Sequence, residues 1–256
     1  MKTEILDTLE FSKNIIISPD MDGFTSAKLL NRFNGSIVVG TYDKNLLCLA
    51  NGVNPEECLF VDVDMNCSEY VSIGNHMRLL EDNNSLESFN PNQHYKVDKY
   101  YEKFPYATAF LISFATEVPT SPDDKIRMAF SDSTLQNMQK YGDNMRNWSL
   151  RMEHDCVSYI LSNTEEIIKL DNTMREKYLR QEFASKRFGK ERYIQTLNDA
   201  FISEGIVHKP IIDGKKYLSD KVGVNTVKRY ISDILSYAEI FTGEYSITYK
   251  QEIEWK

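Results

Sequence analysis

The feature that most narrows the fold is an alternation, in the first third of the chain, of short unbroken apolar runs with segments of helical character. NIIIS at 14–18, SIVVG at 36–40, CLFVDVD at 58–64 and YVSI at 70–73 are rich in β-branched and aromatic residues. A strand with one wet face alternates apolar and polar side chains, whereas a continuous apolar run marks a strand buried on both faces. Residues 25–33 and KNLLCLANG at 44–52 read as helices between these runs. The pattern predicts an α/β fold: a mainly parallel sheet with helices on both faces. Ligands of such sheets collect at the carboxyl ends of the strands, where Asp20, Asp22 and Asp62 fall.

Beyond Pro105 the reading turns helical. YATAFLISFATE continues an apolar face, SPDD at 121–124 offers a serine cap followed by proline, and residues 148–203 read as two or three helices with SNTEE at 162–166 as a capping signal. After EGIVHKPIIDGKKYLS the pattern returns to strand, helix and strand, with a helix near 224–234 and strands at 237–241 and 245–249. The expected division is an α/β domain over 1–150, a helical connector over 151–204 and a smaller α/β domain over 205–256. Lys215 and Lys216 follow an Asp-Gly pair and look like part of a hairpin.

The formal charge of -8 is unevenly spread: residues 1–150 hold 13 Lys and Arg against 21 Asp and Glu, and the remainder holds 17 of each. An acidic first part disfavours a broad polyanion-binding surface unless cations offset the carboxylates. No apolar run reaches membrane-spanning length, and the start MKTEILDTLEF lacks the basic-then-apolar pattern of an export signal. The chain is therefore expected in the cytoplasm, away from membranes. The four cysteines form no CxxC pair, which disfavours a cysteine zinc site and favours buried thiols.

Two carboxylate groups carry the chemistry. In ISPDMDGFTSAKLL, Asp20 and Asp22 follow a buried strand, Gly23 would relieve crowding beside a cation, and Thr25 or Ser26 could cap the next helix. The competing reading is a turn whose aspartates cap that helix. In CLFVDVDMN, Asp62 and Asp64 end another apolar strand, with Asn66 beyond. Buried carboxylates need partners, and a divalent cation with a preference for hard oxygen ligands, magnesium or manganese, would satisfy several together.

These segments resemble the DHH phosphoesterases. SPDMDG is similar to that family's first motif, His-x-Asp-x-Asp-Gly; LFVDVDMN resembles the second, matched at Asp62; YVSIGNHM stands where the Asp-His-His triplet belongs; and MAFSDST resembles the fourth, matched at Asp132. AEIFTGEYSITYK is similar to a strand pair of the family's small associated domain. The resemblance implies two domains around a cleft and manganese-dependent cleavage of phosphoesters in short nucleotides, cyclic dinucleotides, single-stranded nucleic acid or pyrophosphate. It implies metal ligands at Asp20, Asp22, Asp62, His76 and Asp132, with Asp62 bridging two ions and His76 a ligand or a phosphate contact. Departures accompany it. Ser18 replaces the first histidine, Gly74-Asn75-His76 replaces the triplet, and the terminal glycine- and histidine-rich loop has no counterpart, which leaves evolutionary loss of the loop and a truncated second domain both open.

The sequence therefore suggests a phosphoesterase using one or two manganese or magnesium ions on a small phosphorylated substrate or short nucleic acid, with Asp62 and His76 catalytic. The alternative is an impaired relative that binds a nucleotide or a protein. A homo-oligomer is compatible with either. His94 reads as a packed aromatic edge or a solvated loop, His154 and His208 as structural or surface residues. The stripe Tyr141, Asn144, Asn147 and Trp148 reads as core-facing or as a base platform, and ASKRFGKER at 184–192 as a solvated helix face.

Overall fold

The computed structural model describes residues 1–43, 46–77, 85–152, 156–174 and 189–216. The expected elements at 224–234, 237–241 and 245–249, most of the basic run at 184–192, and His154 lie outside the described residues.

Apolar alternation has produced an α/β fold around a six-stranded, mostly parallel sheet in the order β5-β4-β1-β2-β3-β6. Its strands are β1 (Asn14–Ile17), β2 (Ile37–Tyr42), β3 (Leu46–Ala50), β4 (Leu59–Val61), β5 (Val71–Ile73) and β6 (Ile211–Lys216). The strands β5, β4, β1 and β2 run parallel, while β3 pairs antiparallel with β2 and β6 antiparallel with β3. The helices described are α1 (Lys2–Leu9), α2 (Met21–Asn34), α3 (Pro91–His94), α4 (Thr108–Thr116), α5 (Pro122–Phe130), α6 (Thr134–Met152), α7 (Cys156–Ser162), α8 (Thr164–Met174) and α9 (Lys190–Glu204). None of them is long and apolar enough to cross a membrane.

Successive strand residues enter two different cores. Ile15 and Ile17 of β1, with Leu59 and Val61 of β4, join the larger cluster formed with the helices. Ile16 and Phe60 join a smaller one with Val39, Val63, Met65 and Tyr70. All helical residues of the described core belong to the larger cluster, and the smaller one is built from strand and loop side chains.

Within the KNLLCLANG stretch, Leu46–Ala50 forms a strand rather than the expected helix. Leu46 and Cys48 enter the larger core and Leu47 the smaller, a period of two that only a strand supplies. Sheet packing has overridden the helix preference of its leucines. Gly40 makes the pairing fit, because a Cβ there would lie 2.7 Å from the Leu49 side chain and 2.9 Å from the Cys48 carbonyl. Lys215 and Lys216 do not form a hairpin tip either: Asp213 and Gly214 lie within β6, which pairs along β3. The segment assigned by sequence to a small second domain thus begins as a strand of the first sheet.

Local chemistry fixes the helices. α5 opens with a reciprocal capping box between Ser121 and Asp124, with Pro122 in its first turn. The same Asp124 accepts a two-pronged bond from Arg32 of α2, at 2.8 and 2.9 Å, which locks α2 to α5. Trp148 and Asn144 of α6 donate to the carbonyls of Glu102 and Lys103. Trp148 packs against Phe104 and Tyr95, so the stripe faces the core at Trp148, while Asn147 is exposed and Tyr141 half-buried.

From β1 the chain steps to β2 and β3 on one side, then returns to β4 and β5 on the other. The loops after β1 and β4 therefore diverge and leave a crevice at their carboxyl ends.

Leu46 and Leu47 test this arrangement, since adjacent residues of one strand feed separate cores. Leu46→Ala and Leu47→Ala should each lower unfolding free energy by about 2–5 kcal/mol in urea titrations. A cost below about 1 kcal/mol for either would contradict the strand.

Candidate metal centre

The crevice gathers the expected residues, in unequal roles. Asp20 is the N-cap of α2, and its Oδ1 accepts from the Gly23 N–H at 3.1 Å. α2 thus begins at Met21, and Thr25 and Ser26 lie inside the helix rather than capping it. Gly23 is required by Ser18, just past the end of β1: a Cβ there would collide with the Ser18 carbonyl oxygen and stand 2.5 Å from Ser18 Oγ.

Asp22, almost fully buried, turns away from solvent towards α4. Its Oδ2 accepts from the Thr108 N–H at 2.7 Å and its Oδ1 from the Ala109 N–H at 2.8 Å. The N-cap residue of α4, Ala107, offers no side-chain cap, so Asp22 supplies it from another helix, where the helix dipole favours an anion. Each of the two oxygens expected at a cation thus accepts an amide N–H, which leaves one lone pair on each for a further partner.

Asp62 follows β4 directly with a left-handed backbone, φ 58°, a conformation that aspartate tolerates better than most residues. Its Oδ1 accepts from Thr108 Oγ1 at 3.0 Å and its Oδ2 from Ser18 Oγ at 2.5 Å. Asp132, between α5 and α6, is also left-handed, φ 51°. Asn75 holds it: its Nδ2 donates to Asp132 Oδ2 at 2.5 Å and to the Tyr106 carbonyl at 2.8 Å. His76, the next residue, has a side chain 41% exposed, with Nδ1 2.9 Å from Asp64 Oδ2. Asp62, His76 and Asp132 each bring a ligand atom to within 4.8 Å of the others. Ligand atoms about 2.1 Å from one ion lie at most about 4.2 Å apart, so a small side-chain adjustment would close the set. Two carboxylates and an imidazole suit manganese or magnesium as hard to borderline donors.

Asn90 and Asn92 escaped sequence reasoning. Asn90 Nδ2 bonds Asp64 Oδ1 and the His76 carbonyl; Asn92 Nδ2 bonds the Asn75 carbonyl, and its Oδ1 accepts from the Phe104 N–H. Their only signal was the run Asn-Pro-Asn, a cap followed by proline. His94 sits between the Phe89 and Tyr95 rings, and His208 packs on Phe201, both as structural residues. Cys48 and Cys58 are buried free thiols, and burial pushes them up to about 12 and about 11.

Burial raises Asp62 well above the ordinary aspartate range, and Asp22, Asp132 and Asp20 push the same way. Asp22 is raised too, by burial and then by Asp132 and Asp20, against the opposing pull of its α4 amides. Ser18 registers the same strain. Its single hydroxyl proton faces Asp62 Oδ2 and Asp20 Oδ1, the latter at 2.9 Å. With one proton to share, Ser18 donates to only one of the two carboxylates at a time.

No protein-family model, characterised protein or solved structure matches the chain.

Without metal, these raised carboxyls make stability depend on pH. Below about pH 4 both folded and unfolded chains are protonated; as pH rises, the unfolded chain releases protons that the fold still holds, and stability falls. Asp62→Asn removes that loss while keeping every bond, because its amide can donate to Ser18 and its oxygen can accept from Thr108. In chelator, its melting temperature at pH 7.5 should exceed that of the parent by about 3 °C or more, with little difference at pH 4. Equal destabilisation at both pH values would contradict the assignment.

Proposed function

We propose that the chain is a divalent-metal-dependent phosphoesterase acting on a small phosphorylated ligand, such as a short oligonucleotide or a linear or cyclic dinucleotide. The observation that carries this reading is the convergence of Asp62, His76 and Asp132, from three separate segments, at the carboxyl ends of parallel strands. Asp22, Asp132 and Asp20 all act on Asp62 with its own sign, so a cation there would relieve repulsion that the fold otherwise meets by holding a proton.

Asp62, His76 and Asp132 would hold one ion. A divalent cation so bound supplies polarisation of a phosphoryl oxygen and a lowered pKa for water. The chain's own part is positioning: Thr108 and Ser18 fix the two oxygens of Asp62, and Asn75 fixes Asp132. Asp22, occupied by α4, supports one cation rather than the two that the DHH resemblance implies. The acidic balance of residues 1–150 favours a small ligand over a long polyanion.

The same occupation of Asp22, together with Ser18 in place of a histidine, favours a second reading: a phosphoesterase-like module that binds a nucleotide without turning it over. A manganese-dependent hydrolysis screen over phosphomonoesters, linear dinucleotides and cyclic dinucleotides separates the two, with calorimetric manganese titration alongside. Expected are one ion per chain, turnover of at least one ligand class, and loss of at least 100-fold of that turnover in Asp62→Asn. Ligand binding without turnover would establish the second reading. Neither metal nor ligand binding would overturn both.

A further inference from the structure

The Asp64 carboxylate fills a space that the chain leaves open for it. It lies 3% exposed beside the half-exposed His76, and a Cβ at Gly74 would fall 2.6 Å from its Cγ and 2.7 Å from its Oδ1. Any side chain at position 74 would expel it. Gly74 is not needed there for a left-handed backbone, since its φ is not among the positive ones. What position 74 requires is the absence of a side chain.

Two donors and a ring nitrogen meet the carboxylate in that space. Oδ2 receives the His76 backbone N–H at 3.1 Å and stands 2.9 Å from His76 Nδ1; Oδ1 receives Asn90 Nδ2 at 2.7 Å. Asn90 Nδ2 also holds the His76 carbonyl, at 2.8 Å. His76 is thus clamped at its backbone N–H, its carbonyl and one ring nitrogen by a single buried pair. An ionised carboxylate only accepts, so the Nδ1 beside it carries the ring proton. The nitrogen that a cation would take is then Nε2, with its lone pair outward.

We propose that Asp64 is the positioning residue of this centre, fixing His76 in the Nδ1–H tautomer and aiming Nε2 at the cation, and that Gly74 is side-chain-free to seat it. This deepens the metal-dependent reading and rests on it for the cation, though not for the tautomer. Asparagine cannot replace Asp64, because its amide group would face the Asn90 amide or the His76 donors.

The test begins with the metal-free protein labelled with nitrogen-15, in alkaline buffer. Long-range proton–nitrogen correlation, assigned against His76→Gln, should show the Nδ1–H tautomer predominating. A predominant Nε2–H form would overturn the proposal even if manganese binds. Asp64→Asn should mix the tautomers and weaken manganese binding about 10- to 100-fold, with no further loss when it is added to His76→Gln. Gly74→Ala should reproduce both effects by displacing the Asp64 carboxylate. A folded Asp64→Asn with unchanged tautomer and unchanged manganese affinity would overturn the proposal; should that variant not fold, the parent spectrum and Gly74→Ala decide. An Nδ1–H tautomer in a chain that binds no manganese would sink the metal reading and leave the His76 assignment standing.

Discussion

The rest of the crevice depends on one buried contact, the Asp22 carboxylate seated on the first amides of α4. An uncapped helix end would be costly at that depth, as would a lone carboxylate; each satisfies the other. Once α4 is fixed, Thr108 presents its hydroxyl to Asp62. Tyr106, just ahead of the helix, offers the carbonyl that holds Asn75, and through Asn75 the loop carrying Asp132. A carboxylate in the first turn of α2 thereby sets the positions of two others, one following β4 and one at the end of α5.

This arrangement explains why the carboxylates play different parts despite similar placement in the sequence. Asp20 and Asp22 are two residues apart, yet one caps its own helix and the other caps a helix more than eighty residues downstream. Asp62 and Asp64 are likewise two apart, and they separate between the ligand cluster and the clamp on His76. A motif of paired aspartates specifies that acids collect where strands end. Which of them faces a cation is decided by the donors that other segments bring.

Legibility follows the same division. The strands β1, β2, β4 and β5 were readable because a continuous apolar run has few alternatives, and α5 because Ser121, Pro122 and Asp124 form a local signal. The strand β3 was not, because Leu-rich runs suit helix and strand alike and only the two cores, both non-local, choose between them. Asp62, His76 and Asp132 could be named from order along the chain, whereas the roles of Asp22, Asp64, Asn75 and Asn90 depend on partners that no local pattern encodes. Gly74 read as a missing carboxylate; in three dimensions it is the vacancy that another carboxylate fills.

The position of β6 has a consequence for how the protein is made. The strand β3 is complete once residue 50 has left the ribosome, yet its partner on that side is Ile211–Lys216, about 160 residues later. For most of synthesis the growing sheet therefore carries an open edge beside Leu46, Leu47 and Cys48, the kind of template that recruits foreign strands. The final closure joins points far apart along the chain, a slow class of folding step. The nascent chain is thus most exposed to mispairing at a place remote from the crevice, and the acidic centre can assemble on β1, β4 and β5 while that opposite edge still waits for its last strand.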